Sequence, residues 1–194
     1  MVDVLQLATF VIIVLIGVAW YLSYSAARLD RLHAKVEGAM SALDAQLVRR
    51  AEAALELANS GALDPASALL LADAATESLD RTTERPTEDL LDGQHFGGRE
   101  DVESGLSAAL RAALTDEVVA GLRSREADLA AEALDMVGSS GLRVRLARRF
   151  HNDATHEVRR VRAKRSVRAF RLAGHAHLPE PVEFDDDLPP ALGR

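Results

Sequence analysis

The chain has 194 residues, a net charge of -7 and no cysteine, so it suits one domain of ordinary size and excludes a disulfide framework or any cysteine metal or redox site. Aromatic residues are 4% of the chain and all three isoleucines lie among the first 16 residues, while Ala and Leu supply 63 positions. Strand formers are therefore scarce, and the expected fold class is all-α: an N-terminal transmembrane helix continuing into an antiparallel bundle of about four helices.

From Val4 to Ala27 there are 24 residues without a charge, between Asp3 and Arg28. About 20 apolar residues span a bilayer core as a helix. Trp20, Tyr21 and Tyr24 cluster at the far end, where amphipathic rings prefer the headgroup level. A cleaved signal peptide is the rival, with Ser23 and Ser25 as small residues for a cleavage site. It asks for a basic leader and a shorter apolar run, and only Asp3 and the amino terminus precede this one. Arg28, Arg31 and Lys35 follow the segment and no Lys or Arg precedes it, so the positive-inside rule puts the following chain in the cytoplasm.

An apolar stripe then runs through Leu29, Leu32, Val36, Met40, Leu43, Leu47, Ala51, Ala54 and Ala58 in steps of three or four residues, which is one helix face. It is expected to extend the membrane helix without a break until Asn59-Ser60-Gly61. Asp64-Pro65 opens a second helix, through Leu69, Leu70, Ala74 and Leu79, that ends before Pro86. Residues 85–99 read as a loop. A third helical region is expected from Glu100 to Val137, interrupted at Gly121. Gly138-Ser139-Ser140-Gly141 separates it from a fourth helix starting near Leu142.

The fourth helix shows a stripe of Leu142, Leu146, Phe150, Ala154, Val158 and Val161, with Arg145, Arg148, Arg149, Arg159 and Arg160 opposite. Phe150, Leu146, Leu43 and Leu47 are expected to be buried together between the first and fourth helices. Past Ala163 the pattern fails, so the helix is expected to bend or leave the bundle. Residues 143–171 hold eleven Lys and Arg against Asp153 and Glu157. Pro179, Pro181, Pro189 and Pro190 keep the acidic end of the chain from being helical. Three segments result: a short outer N-terminus with the transmembrane helix (1–27), a cytoplasmic helical bundle (28–174) and an acidic Pro-rich tail (175–194).

No catalytic motif is found. His156-Glu157-Val158-Arg159-Arg160 puts Arg where a zinc-binding H-E-x-x-H helix needs its second His, and there is no Walker-type loop or nucleophile elbow. His175-Ala176-His177 lacks a third ligand at a set spacing, so no metal and no cofactor are expected. The candidate interaction surface is Arg148, Arg149, Asn152, Arg159, Arg160, Arg162, Lys164, Arg165, Arg168 and Arg171. Such a surface is a solvated face, or it meets anionic lipid or an acidic protein. Nucleic acid is disfavoured, because only Phe150 and Phe170 lie among the basic residues. Glu180, Glu183, Asp185, Asp186 and Asp187 are expected to fold back on Arg159 to Arg171, with Phe184 as an apolar anchor, and to compete there with lipid or an acidic partner.

Three segments carry a family resemblance. Ala42-Leu43-Asp44-Ala45-Gln46-Leu47-Val48-Arg49-Arg50 is similar to a "W-x-x-I-D-V-Q-L-x-R-R" pattern behind a membrane helix. Ala147-Arg148-Arg149-Phe150-His151-Asn152-Asp153-Ala154 is similar to "A-R-R-F-Y-N-D-A", with His151 in place of the tyrosine. A Pro-interrupted stretch then ends in Glu183-Phe184 and acids. On these the chain resembles the LemA family of bacterial membrane proteins. Two family patterns are rewritten: Glu52 to Leu57 stands where "L-I-P-N-L" is usual, and Leu172-Ala173-Gly174-His175 stands in place of an "F-P" step.

The resemblance implies a single pass in the plasma (inner) membrane, with the N-terminus outside and an all-helical bundle in the cytoplasm. It implies no activity. The expected function is a membrane-tethered scaffold or interaction module without catalysis, whose membrane or cytoplasmic protein partner is unknown. The alternatives are an accessory subunit of a larger membrane complex, or a binder of anionic lipid or, less favoured, RNA through the basic last helix. Asn152, opposite the apolar stripe, is expected to bond a neighbouring helix or loop, with partner contact as the alternative.

Overall fold

The computed structural model describes residues 2–84, 96, 98–124, 129–174 and 176–192. Among these residues there are six helices and no strand: α1 (Val2–Asn59), α2 (Pro65–Glu84), α3 (Arg99–Ala113), α4 (Asp116–Arg123), α5 (Leu129–Arg162) and α6 (Arg165–Ala169). Residues 176–189 are in neither helix nor strand, and a turn follows at 190–192.

The 58 residues of α1 make a rod of about 87 Å at about 1.5 Å per residue. The helix is long and apolar enough to cross a membrane, and its apolar end is unburied. From Leu29 onward the same helix turns a buried stripe toward the bundle. It stops where expected: the Ser60 N–H bonds back to the Leu57 carbonyl at 3.2 Å, and Gly61 takes a φ of +73°, a left-handed conformation that only glycine adopts cheaply. The Asp64 carboxylate then caps α2, accepting from the Ala66 and Ser67 amides at 3.0 and 3.1 Å.

α5 runs antiparallel to α1, and the core between them falls into three tiers. Nearest the apolar end, Leu29, Leu32 and Val36 pack with Ala154, Val158, Val161 and Val167. In the middle, Met40, Leu43 and Leu47 meet Val144, Ala147, Phe96, Val182 and Phe184. At the far end, Ala51 to Ala58 join α2, α3, α4 and the first turns of α5. Lys35 Nζ also reaches Glu157 Oε2 across the pair at 3.1 Å.

Several expectations are corrected. The expected third region breaks at Leu114-Thr115, not at Gly121. Thr115 caps α4 by accepting from the Val118 amide, and Asp116 and Glu117 complement the first turn. Gly138 to Gly141 do not divide two helices but lie inside α5. These small residues let the tail approach: a Cβ on Gly141 would sit 2.2 Å from Leu188 Cδ2, and one on Gly138 would touch Leu192. Most of the expected 85–99 loop lies outside the described residues; of those described, Phe96 and Arg99 are buried.

The largest correction concerns the α5 stripe. Leu142, Leu146 and Phe150 are exposed, at 52%, 50% and 58%. The buried face carries Ser140, Gly141, Val144, Ala147, His151, Ala154, Thr155, Val158 and Val161. Steps of four residues advance about 40° around a helix, so a stripe of 142, 146, 150, 154 and 158 winds from the outside to the core instead of following one face. The large leucines of α1 are matched by small residues on α5, which is how two helices approach closely.

Candidate functional site

Helix α1 supplies Asp44 and Arg50, α2 supplies Ser78 and Thr82, and α3 supplies Arg99, Glu103 and Ser107. Their side chains form one buried polar network. Arg50 Nη2 donates to Glu103 Oε2 at 2.7 Å and to the Glu103 carbonyl at 3.0 Å, while Nη1 donates to Ser107 Oγ at 3.0 Å. Ser78 Oγ and Arg99 Nε donate to the other carboxylate oxygen, at 2.8 and 3.4 Å. Arg99 also pairs with Asp44 and donates to Thr82 Oγ1. Two guanidinium groups and two carboxylates thus neutralise one another, as buried charges require.

The tail crosses this network. Phe184 is buried beside Phe96, with ring centroids 6.4 Å apart, and the guanidinium carbons of Arg50 and Arg148 lie 5.9 and 5.5 Å from its ring centroid. The Asn152 carboxamide clamps Val182 by both backbone groups: Nδ2 donates to its carbonyl at 3.0 Å, and Oδ1 accepts from its amide at 2.9 Å. Arg148 pairs with Asp186 at 2.8 Å and with Glu183 at 3.5 Å; Arg145 reaches Asp187 at 3.3 Å, and Arg111 reaches Asp185 at 2.5 Å. The Arg111 hydrogen bond holds the Asp185 carboxyl below the usual aspartate range.

The expected interaction surface therefore divides. Arg148 and Asn152 are engaged by the tail's own residues. Arg159 and Arg162 donate to the carbonyls of Pro179 and His177 at 3.0 and 2.7 Å. Arg149, Arg160, Lys164, Arg165, Arg168 and Arg171 are exposed. The expected cover over Arg159 to Arg171 is corrected: the described acid pairs of the tail fall on Arg111, Arg145 and Arg148. The tail is antiparallel to α5, so its acids come after it has run back past the basic turns. His175 lies outside the described residues.

The remaining basic residues sit at one end of the bundle. Tyr21 and Ser166 lie within hydrogen-bond reach, their hydroxyl oxygens 3.3 Å apart, and Val167 packs in the tier of Leu29. This sets α6 beside the last turns of the apolar segment, level with the exposed Arg28 and Arg31.

His151 was legible only as a departure from a motif. It is 1% exposed, with Nε2 3.4 Å from both the Glu180 carbonyl and Thr155 Oγ1. Burial pushes its pKa below the usual histidine value, against weaker support from the Glu180 and Val36 backbones. The unfolded chain then binds the proton more readily, so stability is complete above the unfolded value of about 6.5 and falls as pH drops through the folded one. Unfolding midpoints between pH 7.5 and 5 are expected to show this loss, and His151→Gln to flatten it; an unchanged slope would remove His151 as its source.

Arg50 was legible only inside the first resembling segment, and Arg99, Glu103 and Arg111 were given no role from the sequence, since a lone Arg or Glu on an Ala-rich helix reads as surface. The chain matches no family model, no curated protein and no solved structure.

Proposed function

We propose that the chain is a membrane-tethered helical interaction module without catalytic activity, a divergent member of the LemA family. It crosses the plasma membrane once, with the short N-terminus outside and the bundle in the cytoplasm. One observation carries this reading: a single unbroken helix presents an unburied apolar segment at one end and a buried bundle stripe at the other. The family assignment is supported by where the resembling segments lie. Arg50, Arg148 and Asn152, and Glu183 and Phe184 come from three distant stretches and meet at the tail, and Asp44 pairs with Arg99 in the network beneath it.

The cysteine-free chain makes the test direct. Asp3→Cys is expected to react with a membrane-impermeant maleimide in intact cells, and Ser60→Cys only after the membrane is opened. The reverse pattern would invert the orientation, and release of the chain by alkaline carbonate would remove the anchor.

A second reading, contact with anionic lipid, is favoured by the position of α6 beside Tyr21. Each basic group near an anionic surface contributes roughly 1 kcal/mol. The bundle is expected to melt higher in anionic than in zwitterionic nanodiscs, and the gain to vanish when Arg165, Arg168 and Arg171 are replaced by Gln. Equal melting in both discs would exclude it.

A further inference from the structure

Residues 182–187 are held as a bound extended peptide is held. Val182, Phe184 and Asp186 are buried, while Glu183 and Asp187 are exposed and Asp185 is half-buried, the period of two of a strand lying in a groove. Its backbone is read from both sides. From α5, Asn152 takes both groups of Val182, and Arg145 Nη2 donates to the Asp186 carbonyl at 3.3 Å. From α3, Glu100 Oε1 accepts from the Glu183 amide at 2.6 Å, and Ser104 Oγ from the Asp185 amide at 3.0 Å. Ser107 Oγ donates to the Asp185 carbonyl at 2.5 Å. Such contacts are indifferent to side-chain identity. Selectivity comes from the aromatic site between Arg50 and Arg148 and from Arg111, Arg145 and Arg148, which pair with the acids of the segment.

The outer ion pairs are weak holders. The Glu183 and Asp187 side chains are 74% and 80% exposed, so their pairs with Arg148 and Arg145 contribute little and fade with salt. The hold on the segment therefore rests on Val182, Phe184 and Asp186, buried at alternate positions, and Phe184 is the largest of them.

We propose that the groove between α3 and α5 receives an extended segment of a partner protein, with an aliphatic, acidic, aromatic, acidic, acidic register, and that residues 182–186 are its resident competitor. The proposal rests on the interaction-module reading and gives that module's partner a chemistry.

The test uses the full chain in detergent micelles and a fluorescent synthetic peptide of residues 178–188. Phe184→Ala in the chain removes the largest buried anchor of the resident segment and alters no residue of α3 or α5. A larger fraction of chains is then open, which lowers the apparent Kd. The peptide is expected to bind the variant about tenfold or more tighter than the parent chain, which is about 1.4 kcal/mol. A peptide with Ala in place of its Phe is expected to bind neither. Equal binding to both chains, with helicity retained, would overturn the proposal. Loss of helicity in Phe184→Ala would overturn it too, because the segment would then be an inseparable part of the core. A concentration-dependent dimer of the parent chain that Phe184→Ala abolishes would assign the groove to a second copy instead. Carbonate extraction of the same variant is expected to be unchanged, which separates failure of the groove from failure of the membrane anchor.

Discussion

Glu103→Ala is expected to destabilise the bundle by about 3–5 kcal/mol, the cost of breaking a buried ion pair by removing one partner. Glu103 is fully buried, and both of its carboxylate oxygens are engaged, by Arg50, Ser78 and Arg99. Without it, Arg50 keeps a hydrogen bond to Ser107 and a place beside the Phe184 ring, but its charge is buried without an opposite charge bonded to it. Arg99 fares better, because Asp44 remains. Denaturant unfolding of the variant in micelles measures the loss, and a value below about 1 kcal/mol would mean that water reaches the pair. The double replacement Arg50→Met with Glu103→Leu removes both charges and is expected to recover most of the loss, since well-packed apolar substitutes for a buried pair are often neutral or stabilising. The pair would then serve alignment more than stability. It joins α1 to α3, and the tail runs over it.

The first half of the chain was legible because its signals are local. The α1 stripe from Leu29 to Ala58 has helical spacing, with large residues as far as Leu47, and the structure buries every member of it. The Asp64-Pro65 cap is read from two adjacent residues. The second half was misread where large residues face outward. Leu142, Leu146 and Phe150 look like core, and the real interface uses Gly141, Ala147 and His151, which look like nothing in particular. Size misleads when the partner helix already supplies the volume.

The tail groove was half legible. Asn152 was expected to bond a neighbouring element, and it does. The acids were expected to meet arginines, and they meet different ones. No local pattern gives the partners, because Asn152 and Val182 are 30 residues apart and Arg50 and Glu103 are 53 apart. Only the packing of α3 and α5 around α1 brings them together. A buried Arg or Glu carries no mark in the sequence that distinguishes it from a solvated one.

The second large effect contrasts two apolar residues that a sequence reader ranks alike. Leu43 is fully buried in the middle tier, among Met40, Leu47, Val144, Ala147 and the Phe184 ring. Leu43→Ala removes three carbons from a site bounded by two long helices and the tail. The helices are pinned above and below by the other tiers, so the hole cannot close by a rigid shift. A cost of about 2–5 kcal/mol is expected, toward the upper part of the range for a site that cannot collapse. Phe150 is the larger residue, and on the stripe of four-residue steps its truncation would cost about 3–5 kcal/mol. With more than half of its surface in solvent, Phe150→Ala is instead expected to cost less than about 1 kcal/mol. Unfolding of the two variants under one condition decides between the two faces of α5. A Phe150 loss equal to or above the Leu43 loss would rotate α5 back onto its large residues, and would take the clamp of Asn152 on Val182 out of the tail groove.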